Sequence, residues 1–179
     1  MGRFVALLRG INVGGHNKVP MADLRALGEG FGWSGVATYI QSGNLVFEAA
    51  GKAEALETDL EAAIAERFGI EVAVIVRAAS RWSGYVAGNP FPAAAEAEPN
   101  RLMLCLAKKT PLEDCGAALQ EKARDGEAVR LVGETLWIHY PAGAGQTRLS
   151  PALIDRLAGS PVTARNYRTA LKLEAMLAT

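Results

Sequence analysis

Histidine and cysteine are scarce in this chain. It has two of each among 179 residues, and His16, His139, Cys105 and Cys115 are scattered without the spacing that metal ligands require. The sequence therefore predicts no metal site and no disulfide framework. Cys105 lies in an apolar strand pattern and Cys115 in a helical one, so both are expected to be reduced, structural thiols, which favours a cytoplasmic protein.

Surplus charge and long apolar runs are also lacking. Nineteen Lys and Arg side chains balance nineteen Asp and Glu side chains, so the net field gives no reason for strong sequence-independent attraction to nucleic acid or an anionic membrane. The apolar run 4–8 is too short for a signal-peptide core, and no other run reaches membrane-spanning length. We expect no membrane partner and predict no cofactor, and a local basic patch is left open.

The first half alternates strand and helix patterns. Apolar spacing predicts helices over residues 20–31 and 53–68 and strands over residues 4–8, 36–41, 44–48 and 70–76. Pro20 suits the first helical position, where its missing N–H costs nothing. The order is β-α-β-β-α-β, the split pattern of a ferredoxin-like unit, in which two helices cover one face of an antiparallel sheet. The residues expected to cover that face are Leu24, Leu27, Leu60 and Ile64.

The second half repeats this order and adds a terminal helix. Strand patterns cover residues 101–107, 127–131, 135–140 and 162–165, and helices follow Thr110, Ser150 and Asn166. Thr110 with Glu113 three residues later predicts a capping box, and Ser150 precedes a proline as an N-cap. Residues 88–100 hold three prolines and no periodicity, which predicts a linker.

The predicted fold class is therefore α+β, with two tandem ferredoxin-like units, antiparallel sheets and a C-terminal helix. The first and third strands of each unit are expected at the centre of its sheet. The predicted domains are residues 1–87, the first unit with a short helix, and residues 101–179, the second unit with the terminal helix, joined by the linker 88–100.

The loop between the first strand and the first helix carries the strongest functional signal. It is rich in glycine, and glycines let backbone N–H groups approach a phosphate or carboxylate ahead of an electropositive helix start. Arg9 and Lys18 would add full charges. Lys18 falls three residues after Gly15, which is not Walker spacing, and the Rossmann spacing is absent as well. The competing interpretation is a structural loop in which Asn12 and Asn17 bond the main chain.

A second polar segment, Gln41-Ser42-Gly43-Asn44, forms the turn of the first predicted hairpin. Its side chains could bind a ligand held by the loop, although a turn uses these residue types in any case. We expect the loop and the hairpin tip at opposite ends of the sheet unless the loop folds back. Twelve residues, 9–20, could span that distance at roughly 3.3 Å each.

Two further segments hold positive charge at a helix start. Arg148 lies in a glycine-rich stretch, and Arg165, Asn166 and Arg168 lie at the last strand-to-helix junction, with Lys172 one turn on. Arg148, Arg165, Asn166 and Arg168 form a secondary basic-site hypothesis. The competing interpretation is a solvated helix start in which Asn166 caps the terminal helix.

Six runs of this sequence carry a resemblance to one family. They are Leu7-Leu8-Arg9-Gly10-Ile11-Asn12-Val13-Gly14-Gly15, Lys18-Val19-Pro20-Met21, Tyr39-Ile40-Gln41-Ser42-Gly43-Asn44, Asn89-Pro90-Phe91-Pro92, His139-Tyr140-Pro141 and Thr163-Ala164-Arg165-Asn166. On these runs the chain resembles the bacterial domain-of-unknown-function family 1697 over nearly its whole length. The resemblance implies no catalytic residue, because the family has no established activity.

These residues do not name a reaction, so the sequence leaves open whether the chain is an enzyme. The leading hypothesis is a cytoplasmic protein that binds a small anionic metabolite or nucleotide through Arg9, Asn12, Gly14, Gly15, Lys18, Gln41, Ser42 and Asn44. One alternative is a nucleic-acid-binding module, since ferredoxin-like sheets can stack bases on aromatic side chains; the aromatic residues considered are Trp82, Trp137 and Tyr140. Another is a structural or interaction protein that forms a homodimer.

Overall fold

Strands and helices alternate along the computed structural model, which describes residues 1–179. The chain divides into residues 1–83 with 173–179, here called the first unit, and residues 84–172, the second unit. Residues 173–179 thus group with the first unit, although the predicted division places them in the second half. That residues 1–87 and 101–179 are separate domains stays a prediction.

The first unit is built on a four-stranded antiparallel sheet. Its elements are β1 (Gly2–Leu8), α1 (Met21–Gly30), β2 (Ser34–Tyr39), β3 (Asn44–Ala49), α2 (Ala53–Phe68), β4 (Val74–Ala78) and the start of α3 (Ala79–Ala87). The strand order is β2-β3-β1-β4, and every neighbouring pair is antiparallel. The first and third strands lie at the centre, which confirms the ferredoxin-like prediction.

Helices α1 and α2 bury their apolar stripes against alternate side chains of the sheet. Leu24, Leu60 and Ile64 are fully buried, and Leu27 packs against the same core. The predicted cover of this face is therefore confirmed, and each fully buried leucine stabilises the unit by about 2 kcal/mol. Gly69 ends α2 with a left-handed φ of 67°, a conformation that glycine adopts without a Cβ penalty.

The second unit repeats the same topology. Its elements are the rest of α3, α4 (Pro92–Ala97), β5 (Leu102–Ala107), α5 (Cys115–Lys122), β6 (Ala128–Val132), β7 (Thr135–His139), α6 (Pro151–Ala158), β8 (Val162–Asn166) and most of α7 (Tyr167–Leu177). The strand order is β6-β7-β5-β8, again antiparallel throughout. The predicted α+β class, with two such sheets and a C-terminal helix, is confirmed. Helix α4 lies within residues 88–100, so the segment predicted as a linker contains a short helix.

Two predicted helix caps are present. The Ser150 hydroxyl accepts a hydrogen bond from the Leu153 N–H at 3.2 Å. The Asn166 side-chain oxygen accepts one from the Thr169 N–H at 2.9 Å. Each satisfies an N–H group that a helix start leaves without a partner.

The predicted capping box at Thr110 and Glu113 is wrong. Helix α5 begins only at Cys115, so both residues lie before the helix. The Leu112 N–H instead donates to the Ala158 carbonyl at 3.2 Å, and the Cys115 N–H donates back to the Leu112 carbonyl at 3.0 Å. A tertiary hydrogen bond therefore holds this segment in an irregular turn that the local sequence pattern does not reveal.

Several predicted boundaries also move; strand β2, for example, ends at Tyr39 and not at residue 41. Pro20 is the N-cap of α1, with an extended ψ of 137°, and not its first helical residue. Strand β4 begins at Val74 and not at residue 70, because Val74 pairs with Leu8 at the end of β1. The residue before Val74, Ala73, lies beyond the end of β1, where its carbonyl accepts a hydrogen bond from the Arg9 N–H at 2.9 Å.

Candidate ligand-binding site

The loop between β1 and α1 folds as a miniature hairpin. The Asn12 N–H donates to the Asn17 carbonyl at 3.1 Å, and the His16 N–H donates to the Val13 carbonyl at 2.9 Å. Gly14 and Gly15 form its turn with φ values of 57° and 80°. Positive φ at both central residues is the requirement of a type I′ turn, so these glycines have a structural role whether or not a ligand binds.

The side chain of Asn12 fixes the base of this miniature hairpin. Its Nδ2 donates to the carbonyls of Val19 at 3.0 Å and Gln41 at 2.8 Å, and its Oδ1 accepts from the Val19 N–H at 2.9 Å. Asn12 itself has a φ of 55°, which asparagine tolerates better than most residues. One amide side chain thus joins both ends of the loop to the β2–β3 hairpin.

The loop and the tip of the β2–β3 hairpin lie at the same end of the sheet, so the expectation that they lie at opposite ends is wrong. Strands β1 and β3 are antiparallel, and Leu7 at the end of β1 pairs with Asn44 at the start of β3. The Leu8 N–H also donates to the Gly43 carbonyl at 2.9 Å. Antiparallel pairing of the central strands brings the two segments together without any fold-back of the loop.

Gly43 makes this close approach possible. It has a φ of 81°, and a Cβ added there would lie 2.6 Å from Ile11 Cδ1 and 2.8 Å from Leu8 Cβ. Both distances are far below van der Waals contact. Only glycine therefore fits between the hairpin tip and the start of the loop.

An open pocket of about 380 Å³ lies where the loop, the start of α1 and the hairpin tip meet. Its lining residues are Asn12, Gly15, Lys18, Val19, Pro20 and Gln41. The volume is within the range of small-molecule sites. Four predicted site residues, Asn12, Gly15, Lys18 and Gln41, are thus brought together, and the sequence interpretation did not include Val19 and Pro20.

Lys18 gives this pocket positive charge. The Lys18 and Gln41 side chains are exposed and have no hydrogen bond or ion pair within the chain. The nearest carboxylate along α1, Asp23 in its first turn, is paired with Arg67 at 2.9 Å. Helix α1 has no side-chain N-cap at Pro20, so its first N–H groups add positive potential at this end.

The other four predicted site residues do not line the pocket. They are Arg9, Gly14, Ser42 and Asn44. The Asn44 side chain is fully buried, and its Nδ2 donates to the Tyr39 carbonyl at 2.8 Å and the Ser42 hydroxyl at 3.1 Å. Asn44 therefore braces the hairpin turn, which matches the structural interpretation of that segment.

The secondary basic residues are not one exposed patch. Arg165 is only 6% exposed, and its guanidinium donates to the Thr163 hydroxyl and the Ala164 carbonyl, both at 2.9 Å. Burial lowers the pKa of Arg165 to about 10. Arg148 and Arg168 are exposed, whereas Asn166 is engaged in capping α7, so the secondary basic site stays a hypothesis in which only these two arginines are exposed.

The carboxylate of Glu127 lies beside the glycine-rich segment that precedes α6. Glu127 is 5% exposed and accepts hydrogen bonds from the Thr147 hydroxyl and from the N–H groups of Arg124 and Asp125. Burial alone would raise the pKa of Glu127, but these hydrogen bonds outweigh it and hold the pKa below its ordinary value. An ionised carboxylate here disfavours a bound anion at Thr147.

No three His, Cys, Asp or Glu side chains come close enough together to hold a metal ion. None of the helices combines the length and apolarity needed to cross a membrane.

These features define an α+β protein with two ferredoxin-like sheets and one open, lysine-lined pocket. The chain belongs to the family described as "Protein of unknown function (DUF1697)", whose model matches residues 1–137. Of the runs that carried the resemblance, those at 139–141 and 163–166 lie beyond the matched residues. No curated protein matches the chain.

A solved structure is similar to this protein over almost the whole chain. It is described as "conserved bacterial protein SP0830 from Streptococcus pneumoniae", with 26% sequence identity and a TM-score of 0.74. The match covers 98% of each chain. The fold of this chain is thus also found in a solved bacterial structure, whose description assigns no activity.

Proposed function

We propose that the first unit binds a small anionic metabolite or nucleotide in the pocket lined by Lys18 and Gln41, here called the loop pocket. The observation that carries the proposal is the meeting of two segments, distant in sequence, around one space of about 380 Å³. The lysine on its wall has no acidic partner. The proposal assigns a ligand class and no reaction.

Three groups of the loop pocket suit an anion. The Lys18 ammonium supplies a full charge, the Gln41 amide supplies donors, and the Gly15 N–H forms no hydrogen bond within the chain. A charge-assisted hydrogen bond from Lys18 would contribute about 1.5–3 kcal/mol to binding. The uncapped start of α1 favours the same sign of charge.

The loop pocket is also largely formed before any ligand binds. Asn12 holds the loop to the hairpin tip through its bonds to Val19 and Gln41. A pocket fixed in this way loses little conformational entropy on binding, so more of each contact appears as affinity.

The experiment is a calorimetric titration of a panel of phosphate-bearing and carboxylate-bearing metabolites against three proteins. These are the wild type, Lys18→Ala and, as a matched control, Lys52→Ala. Lys52 is another exposed lysine of the first unit and does not line the pocket. We expect at least one ligand whose affinity falls about tenfold to a hundredfold in Lys18→Ala and is unchanged in Lys52→Ala.

Melting curves of the same proteins separate binding from folding. The Lys18 side chain makes no bond that Lys18→Ala would remove, so the melting temperature should stay within about 1–2 °C of wild type. Absence of any binder, or equal affinity in both lysine variants, would contradict the proposal. The loop would then have a purely structural role.

The nucleic-acid alternative has less support. Trp82 and Trp137 are fully buried and Tyr140 is 5% exposed, so none presents a ring to a base. Arg165, one residue of the proposed basic patch, is also buried.

The homodimer alternative stays a prediction. A bacterial, cytoplasmic setting is part of the proposal, supported by the bacterial relative and by two free cysteines, Cys105 and Cys115.

A further inference from the structure

Two exposed aliphatic residues are direct sequence neighbours of residues that line the loop pocket. Val13 directly follows Asn12 and is 66% exposed, and Ile40 directly precedes Gln41 and is 48% exposed. Both side chains are branched. Val13 belongs to the loop and Ile40 to the hairpin tip, the two segments that Asn12 joins. Each of the two segments that border the pocket therefore carries an exposed apolar residue directly before or after a lining residue in sequence.

Ile40 has a backbone conformation that isoleucine rarely adopts. Its φ is 49°, the left-handed region, in which the other non-glycine residues of the chain are Asn12 and Asn17. A β-branched side chain is strained there, whereas asparagine or glycine is not. Residues in such strained conformations cluster at active sites and ligand-binding segments, so the strain at Ile40 suggests a functional reason for isoleucine at this position.

We propose that the anion bound by the loop pocket carries an apolar group, such as an aromatic ring or a base, and that Ile40 and Val13 contact this group. The inference rests on the proposed function, which it deepens by naming the ligand class. Lys18 and Gln41 hold the anionic end, and the two aliphatic side chains cover the apolar end. Val19 and Pro20 also line the pocket, and of the two only Pro20 is exposed.

The size of the effect follows from burial. If the apolar group covers on the order of 50 Å² of Ile40, its contribution is about tenfold in affinity. The protein should therefore bind phenyl phosphate more tightly than inorganic phosphate by about that factor. Both probes present a phosphate group to Lys18, so the part of the affinity difference that is lost in Ile40→Asn reports the apolar contact.

The test uses Ile40→Asn, Ile40→Leu and a control, Leu171→Gln, with both probes measured by calorimetry. Leu171 is 42% exposed, on α7 in the second unit. We expect Ile40→Asn to lose about tenfold in affinity for phenyl phosphate and to keep its affinity for inorganic phosphate. Ile40→Leu, which keeps the apolar surface, and Leu171→Gln should bind both probes as the wild type does.

Stability should move in the opposite direction from affinity. Ile40→Asn relieves the left-handed strain, so its melting temperature should rise by about 2–4 °C. A fall in melting temperature would contradict the account of Ile40.

The outcomes also separate this inference from the function on which it rests. If both phosphates bind in a Lys18-dependent way with equal affinity, or if Ile40→Asn weakens both equally, the apolar-group proposal is overturned and anion binding stands. If neither probe binds at any accessible concentration, the apolar-group proposal fails, and the metabolite panel described above decides the proposed function separately.

Discussion

Asn12→Asp is the perturbation that tests the geometry of the loop pocket most sharply. The substitution keeps the shape of the side chain and replaces its Nδ2 donor with a carboxylate oxygen. Nδ2 donates to the carbonyls of Val19 and Gln41, so both acceptors lose their partner and face a negative charge. The bond from the Val19 N–H to Oδ1 is kept.

The expected cost is about 2 kcal/mol, since two neutral hydrogen bonds contribute about 1 kcal/mol each. For a chain of this size that corresponds to a fall in melting temperature of about 4–8 °C. The hairpin tip should also become more mobile, because the bond from Asn12 to Gln41 joins the tip to the loop.

Asn17→Asp is the matched control. Asn17 belongs to the same loop, has a similar φ of 49° and undergoes the same change of charge. Its Nδ2 makes one exposed hydrogen bond, to the Gly10 carbonyl at 3.0 Å, so its substitution should cost about 1 kcal/mol or less.

The assays are thermal unfolding and amide hydrogen exchange of residues 40–43. We expect Asn12→Asp to lose about twice as much stability as Asn17→Asp and to speed exchange at the hairpin tip. Equal losses in the two variants, or unchanged exchange at the tip, would refute the claim that Asn12 joins the two segments.

Two further predictions concern packing and pH. Gly43→Ala should cost about 2–4 kcal/mol in unfolding free energy, because a Cβ there would lie 2.6 Å from Ile11 Cδ1 at a left-handed φ; a loss below about 1 kcal/mol would disprove the close approach. The pKa of Glu127 is lowered in the folded state, so its ionised form stabilises the protein above the ordinary glutamate pKa. This contribution should disappear as the pH falls through the lowered value. Denaturant titrations should accordingly show Glu127→Gln less stable than wild type near neutral pH, with the difference shrinking in acid; a difference independent of pH would contradict the assignment.

The sheet topology was predictable because the apolar patterns are regular and local. Helix α2 has the predicted bounds, and Gly69 ends it as expected. The order of strands followed from the β-α-β-β-α-β pattern alone. The same pattern also predicts that loop and hairpin tip meet, because β1 and β3 are antiparallel neighbours and the end of β1 therefore lies beside the start of β3. The sequence held the information needed for this conclusion, and the contrary expectation applied the topology incorrectly.

Other features depend on tertiary contacts that a local pattern does not contain. Thr110 has the spacing of a capping residue, yet the bond from Leu112 to the end of α6 keeps the helix from starting there. Arg165 looks like a surface cation and is buried beside Thr163. The left-handed φ of Ile40 has no signal in the sequence, because isoleucine is the residue type least expected there.

The central claim is that an anionic ligand binds in the loop pocket. Backbone amide chemical shifts, followed by NMR during a titration with phenyl phosphate, test it most directly. We expect saturable shifts at Gly15, Lys18 and Gln41, largest at the Gly15 N–H, which has no partner within the chain. These shifts should be absent in Lys18→Ala and present in Lys52→Ala. Shifts that centre elsewhere, or no saturable shifts at all, would contradict it.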